Sequence, residues 1–303
     1  MNIHDAKAIP LAQILERLNI NPRTSSPDKQ LYLSPVREEK TPSFYVYLKT
    51  NRWHDYGDGR GGDPIDFARA FLKFTREADT TSDALRWLGN IGLGPYQFPS
   101  IPVRSTQESK EPVLILKTKK AIQHLGLIHY LDKRGIPLAI AQEHLTEIHV
   151  RNKTTQKSFF ALGFVNEEGG HELRNPFFKG CLGVKAISFI RGTEPKPDGI
   201  HVFEGFMDYL SAITQLNGKG FKDDTIVLNS LACLKHAIPY IQNYGYRTAY
   251  TWLDNDKAGD TATTALHEFF TTQADLVHKT MNRIYAPHKD VNAWHIHKPH
   301  LTL

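Results

Sequence analysis

Apolar positions recur along the chain with two different periods. Between Ile9 and Leu18 they fall at Ile9, Leu11, Ile14, Leu15 and Leu18, one face of a helix, and Asn21 and Pro22 close it. Leu31–Leu33 and Ser43–Leu48 are short, aromatic-rich runs that predict strands. A Gly-rich turn is expected over Gly57–Gly62. Asp63 and Pro64 then stand where an N-cap and a first helical residue belong, and a second helix is expected over Ser82–Leu88. Residues 94–112 carry four prolines and few large aliphatics. Helices are expected near Ala121–Lys133 and Pro137–His144, and a strand over Phe159–Phe164. These breaks suggest domains at 1–95, 113–198 and 199–303, with 96–112 as a linker.

From residue 200 the pattern alternates. Strands are expected at Ile200–Phe203, Thr225–Leu228, Thr248–Leu253 and Arg283–Ala286, with helices Met207–Gln215, Leu234–Gln242 and Ala258–Phe270 between them. Alternation of this kind predicts a mainly parallel sheet, so the fold class is α/β with an α+β N-terminal unit. Ligands of such sheets bind beyond the carboxyl ends of the strands.

Acidic residues cluster at those ends. Glu204 follows the first strand, Asp254 and Asp256 the third, and Asp290 the expected fourth. Crowded carboxylates raise each other's pKa unless a cation neutralises them. Hard oxygen donors of this charge suit Mg²⁺ or Mn²⁺, which serve phosphoryl transfer. Each acid taken alone could equally be a helix N-cap.

Composition narrows the setting. Hydrophobic residues make up 40% of 303 residues and charged residues 23%, as in soluble globular proteins. Two cysteines, Cys181 and Cys233, build neither a disulfide framework nor a Cys-rich zinc site, so a cytoplasmic location is expected. No apolar run approaches a membrane span, and no membrane partner is expected. The formal charge of +5 is compatible with a polyanionic partner.

His201–Asp208 and Leu253–Gly259 resemble the two signature motifs of the TOPRIM domain, in the Glu-Gly-x-x-Asp and Asp-x-Asp-x-x-Gly forms of DnaG-type primases. The resemblance implies Glu204, Asp254 and Asp256 as catalytic residues, with Glu204, Asp254, Asp256 and Asp290 holding Mg²⁺ or Mn²⁺. Lys289-Asp290-Val291-Asn292 resembles a third motif, usually Asp-x-Asp, with Asn292 in place of its second acid. Lys257 and Lys289, beside these acids, are candidate nucleotide contacts.

Tyr130–Ile136 is similar to the segment that opens the primase RNA-polymerase core, and Phe160–Pro176 to the strands beside its basic groove. That likeness makes Arg134, Arg174, Asn175 and Lys179 candidate nucleic-acid contacts. The loose series Arg151, Lys153, Lys157, Arg174, Lys179 and Lys185 carries the same chemistry, while Phe159, Phe160, Phe177 and Phe178 are expected in the core.

Residues 34–67 resemble the primase zinc-binding domain, a zinc-ribbon-like unit, in Glu39–Phe44 and Gly61–Phe67. Its ligand positions fall on Ser34, Arg37, Asp55 and Asp58, which supply no tetrahedral zinc site, so no zinc is expected. Arg37 is expected to pair with Asp55 or Asp58 instead. By the same resemblance this unit binds template, with Lys40 and Arg60 among its contacts. The histidines of Trp294–His300 are expected to be a flexible end.

The resemblance implies a DNA primase of a plasmid, phage or integrative element. Single-stranded DNA and ribonucleoside triphosphates are its implied partners, with a replicative helicase or initiation protein acting in trans. A non-catalytic nucleic-acid-binding factor and a TOPRIM nuclease are the alternatives. Little chain follows the last acidic motif, so a helicase-docking domain is not expected.

Overall fold

A computed structural model describes residues 3–77, 79–91, 113–242, 244–273 and 275–297. The linker expected at 96–112 lies outside the described residues. The chain divides into two compact units, Met1–Tyr96 with Ile238–Gly245, and Gln97–Ala237 with Tyr246–Leu303.

The first unit begins with α1 (Ile3–Ala8), which was not expected, and α2 (Leu11–Arg17), the helix expected over Ile9–Leu18. Pro10 is extended at the junction. The Asn51 side chain accepts from the Leu11 amide and donates to the Ile9 carbonyl, each at 2.8 Å, which stabilises the break. Five antiparallel strands follow: β1 (Thr24–Ser25), β2 (Lys29–Tyr32), β3 (Phe44–Tyr47), β4 (Arg52–Asp55) and β5 (Arg60–Gly62). The last of these lies inside the expected Gly-rich turn. Then come α3 (Pro64–Phe74) and α4 (Thr81–Asn90). Asp63 caps α3 by accepting from the Ile65 and Asp66 amides, and the Asp66 side chain accepts from the Asp63 amide in return. Phe44, Val46 and Trp53 project from the inner face of the sheet and pack with Leu15 and Phe67. The Phe44 and Trp53 rings stack at 5.1 Å.

The second unit starts with β6 (Leu114–Lys120), α5 (Leu125–Lys133), α6 (Leu138–His144), β7 (Leu145–Asn152), β8 (Ser158–Val165), β9 (His171–Asn175) and β10 (Phe178–Leu182). The strands form one antiparallel sheet in the order β10-β9-β8-β7-β6. The helix expected from Ala121 begins only at Leu125. The amides of Gln123 and His124 donate to the Glu147 carboxylate at 2.9 and 2.6 Å, which holds that stretch off a helical path.

A third sheet is built from β11 (Ser188–Ile190), β12 (Gly199–Phe203), β13 (Asp224–Val227), β14 (Thr248–Trp252) and β15 (Val277–Thr280), in the order β11-β13-β12-β14-β15. Only β11 is antiparallel to its neighbour. Helices α7 (Phe206–Gln215), α8 (Leu234–Ile241) and α9 (Lys257–Thr271) follow successive strands, and α10 (Asn282–Tyr285) and α11 (Val291–His297) come last. The strand expected at Arg283–Ala286 is therefore a correction: those residues overlap α10, and the edge strand lies earlier. β15 is mostly exposed and polar, so it lacks the apolar run that marks a buried parallel strand. Buried Tyr285 belongs to a helical turn, where its hydroxyl donates to the Leu253 carbonyl at 2.5 Å.

Leu131, Leu162 and Phe164 share one core with Phe203, Tyr209, Leu210 and Val227. This common core holds the antiparallel middle sheet against the parallel one. Among the described residues no helix is long and apolar enough to cross a membrane.

Candidate active site

Parallel register brings the functional side chains to one edge. Phe203 is level with Trp252 on one side and Val227 on the other, so Glu204, Asn229 and Asp254 all leave adjacent strand ends. The Glu204 carboxylate accepts from the Asp254 amide at 3.1 Å. Asp208 stands in the first turn of α7. A second segment reaches the site through Asn255, whose amide donates to the Lys289 carbonyl at 2.6 Å and whose side chain donates to the His288 carbonyl at 2.8 Å. That anchor delivers Lys289 and Asp290.

Gly259 permits the close approach of α9. A Cβ there would collide with the Asp254 carbonyl. The Asp-x-Asp-x-x-Gly spacing thus has a steric cause in this chain: the acid and the glycine meet one turn apart.

The acids are not equivalent. Burial, reinforced by Asp254, pushes the Glu204 carboxyl up to about 7. Burial, then Asp290 and Asp254, pushes Asp208 up to about 8. Asp254 is raised by burial and partly relieved by Lys289. Asp256 is lowered, chiefly by the Gly259 amide. Asp256 caps α9 with one oxygen, accepting from Ala258 and Gly259 at 3.0 Å each. Its other oxygen meets Lys289 Nζ at 3.1 Å, and Lys289 also pairs with Asp254 at 3.3 Å. The helix N-cap alternative is realised in Asp256, which is also an ion-pair partner of Lys289. Asp290 likewise accepts from the Ala293 amide at 2.6 Å.

Among the described residues, no three His, Cys, Asp or Glu side chains stand close enough together to grip one metal ion. The donor chemistry still fits a hard divalent cation: Glu204, Asp208, Asp254 and Asp290 line one cavity, and three of them carry raised pKa values. Asp208 is the functional candidate that sequence reading missed. It was visible as the acid of Glu-Gly-x-x-Asp, but its burial beside the others was not.

The cavity has a volume of about 410 Å³. Its opposite wall is cationic, with Arg174, Lys179 and Lys185. Arg174 and Lys179 sit directly opposite each other on β9 and β10, so their side chains share a face. Arg151, Lys153 and Lys157 are exposed elsewhere on the middle sheet and its β7–β8 turn.

Other expected contacts have different places. Arg134 donates to the Asn292 side chain at 2.8 Å, and Asn292 donates back to the Arg134 carbonyl and to Ser211 Oγ. Asn292 is 1% exposed, so its replacement of an acid creates an interior tie rather than a ligand. Neither Arg134 nor Asn175 lines the cavity. Asn175 shapes the β9–β10 turn, donating to the Phe160 carbonyl and accepting from the Phe177 amide, each at 2.8 Å. Lys257 is exposed at the start of α9. Phe159, Phe160 and Phe178 are half-buried, but Phe177, expected in the core, is 96% exposed at the tip of that turn. His295 is buried between Gln215 and the Gly135 carbonyl, so part of the expected flexible end is interior. His300 lies outside the described residues.

The first unit has its own polar cluster. Asp55 is fully buried. Arg37 donates to both its oxygens, from Nε at 3.1 Å and Nη2 at 2.9 Å. Ser34 Oγ donates at 2.6 Å and the Gly57 amide at 2.9 Å. Arg37 also binds Glu39 and Ser43. Burial works to raise the Asp55 carboxyl, yet these donors hold it at about 2. Gly57 is needed here, because a Cβ would overlap the Arg37 guanidinium. Of the two partners the sequence left open, Arg37 takes Asp55, while Asp58 pairs with Arg60. Lys40 is exposed.

With this geometry in place the comparisons are informative. Residues 201–295 match the Toprim-like family model. The chain carries a Toprim-like domain. Residues 115–183, which include Arg174 and Lys179, match a domain of unknown function, DUF8464. The chain is similar to the primase fragment of the bacteriophage T7 primase–helicase protein, with 13% identity, a TM-score of 0.40, and coverage of 85% of this chain and 90% of that one. It is also similar to the Aquifex aeolicus primase, zinc-binding and RNA polymerase domains, with 14% identity, a TM-score of 0.37, and coverage of 95% and 79%. No curated protein matches the chain. Glu204, Asp208 and Asp254 of the Toprim-like domain share one cavity with Arg174 and Lys179 of the preceding sheet.

Proposed function

We propose that the chain is a DnaG-like DNA primase, joining ribonucleotides on single-stranded DNA for replication of a plasmid, phage or integrative element. One observation carries this reading: a single cavity has carboxylates of the Toprim-like domain on one side and Arg174, Lys179 and Lys185 on the other. Cations attract phosphates, and acids hold the divalent metal that phosphoryl transfer needs. Glu204, Asp254, Asp256 and Asp290 would hold Mg²⁺ or Mn²⁺, which when bound supplies charge neutralisation at the reacting phosphate. Arg174 and Lys179 would orient the phosphates. Glu204, at the end of β12 beside Asp254, would accept the proton of an attacking hydroxyl.

In this reading 1–95 is a template-binding unit in which the Arg37–Asp55 node replaces zinc, with Lys40 and Arg60 as outer contacts. Residues 113–198 and 199–303 form the catalytic core, 96–112 connects them to the first unit, and the protein works in the cytoplasm. A helicase or initiation protein acting in trans would supply loading.

A second reading has one observation in its favour. Lys289 pairs with both Asp254 and Asp256, and Asn292 is consumed internally, as suits a nucleic-acid-binding factor without catalysis. Single-stranded DNA, labelled ribonucleotides and Mg²⁺ or Mn²⁺ decide between them. Short products lost in Glu204→Gln and Asp254→Asn support the primase. Intact DNA binding without synthesis supports the second reading, and degraded template points to a nuclease.

A further inference from the structure

Two buried acceptors in the cavity have no task in the metal-and-phosphate scheme. Glu172 is 4% exposed and Asn229 is 5% exposed, and both line the cavity. Glu172 Oε1 and Asn229 Oδ1 are each buried without a hydrogen-bond partner. Their other atoms are engaged. Glu172 Oε2 faces Lys185 Nζ at 3.9 Å, and the Cys181 thiol lies against the same carboxyl. Asn229 Nδ2 donates to the Ala186 carbonyl and to Ser188 Oγ, each at 3.0 Å, which fixes Oδ1 as the open acceptor.

Buried polar groups without partners are uncommon, and two on residues that line one cavity call for a ligand that brings donors. A phosphate brings none, because its oxygens only accept. A metal ion is disfavoured at Glu172, since Arg174, Lys179 and Lys185 already crowd that wall with positive charge. In a nucleotide, the donors nearest the phosphates are the sugar hydroxyls. We infer that Glu172 and Asn229 accept hydrogen bonds from a ribose hydroxyl of the bound nucleotide and so select ribonucleotides over deoxyribonucleotides. This rests on the nucleotidyl-transfer reading of the same cavity. Glu172 lies two residues before Arg174 on β9, so one strand face would hold the phosphates and read the sugar.

The test is calorimetric titration of the full chain with ATP, 2′-deoxy-ATP and 3′-deoxy-ATP in Mg²⁺, repeated with UTP and 2′-deoxy-UTP. Wild type should bind the ribonucleotide roughly tenfold or more tightly than at least one deoxy analogue, the loss expected when a buried acceptor is left unpaired. Glu172→Leu should cut that ratio to about twofold. Glu172→Gln keeps an acceptor and the side-chain shape, so its ratio should fall between the two, and it also serves if the leucine variant fails to fold. A wild-type ratio in both variants overturns the inference. So do equal wild-type affinities for the two sugars, no nucleotide binding, or a preference that follows the base. A sugar preference lost in the variants without primer synthesis would keep this inference and remove the primase. Primer synthesis with equal use of both sugars would do the reverse.

Discussion

The Arg37–Asp55 node and the acids of the Toprim-like domain are both carboxylate clusters, but they solve charge burial in opposite ways. Asp55 is buried and fully served from inside the chain, by a guanidinium, the Ser34 and Ser43 hydroxyls and an amide, and its carboxyl sits at about 2. Half-buried Glu204 and buried Asp208 stand beside other acids, and their carboxyls rise to about 7 and 8. The first cluster is electrostatically closed. In the second, Lys289 pairs with Asp254 and Asp256, while Glu204 and Asp208 keep raised pKa values. A closed cluster suits a structural tie, and an open one suits a site that takes its cation from outside.

The largest effect should separate the two by activity. Glu204→Gln is expected to lower primer synthesis by about 10²- to 10⁴-fold, the range for losing a general acid–base group, with no loss of thermal stability. Equal activity would place the chemistry elsewhere. Next, Asp55→Ala should destabilise the first unit by about 3 kcal/mol, because it strands the donors around a buried ion pair. Urea unfolding followed by Trp53 fluorescence measures this, and a change below 0.5 kcal/mol would mean the node is idle.

A pH scan sharpens the contrast. The folded pKa of Asp55 is depressed, so its stabilisation is present above the unfolded carboxylate value near 3.8 and is lost as pH falls toward about 2. Asp55→Asn should flatten the stability curve in that window. The smallest effect concerns the metal. Mg²⁺ at tenfold over its dissociation constant should stabilise the second unit by about 1.4 kcal/mol, reversed by a chelator and reduced in Asp254→Asn. The first unit should show no response to chelator.

Much of this was legible in advance because motif spacing follows local geometry. Asp63-Pro64 predicts a capped helix, and Asp63 caps α3. The alternation after residue 200 predicts a parallel sheet, since each buried strand must return through a helix. The edge strand β15 was misplaced because an exposed strand carries no apolar run. Arg134 and Asn175 read as nucleic-acid contacts from their motifs, yet their hydrogen bonds are with Asn292 and with the backbone. A cationic or amide side chain in a motif has the same appearance whether it serves a ligand or a neighbouring loop.

By itself, then, the sequence determined most of the element types, the acids at successive strand ends and the absence of a Cys or His donor at Ser34, Arg37, Asp55 and Asp58, because these depend on residue identity and short spacing. Tertiary structure alone decided that Asp208 is buried among those acids, that Arg174 and Lys179 face them, that Asp55 and not Asp58 receives Arg37, and that Glu172 and Asn229 keep open acceptors. Each of these depends on which distant segments meet and on how far water is excluded between them, and neither is written in local spacing.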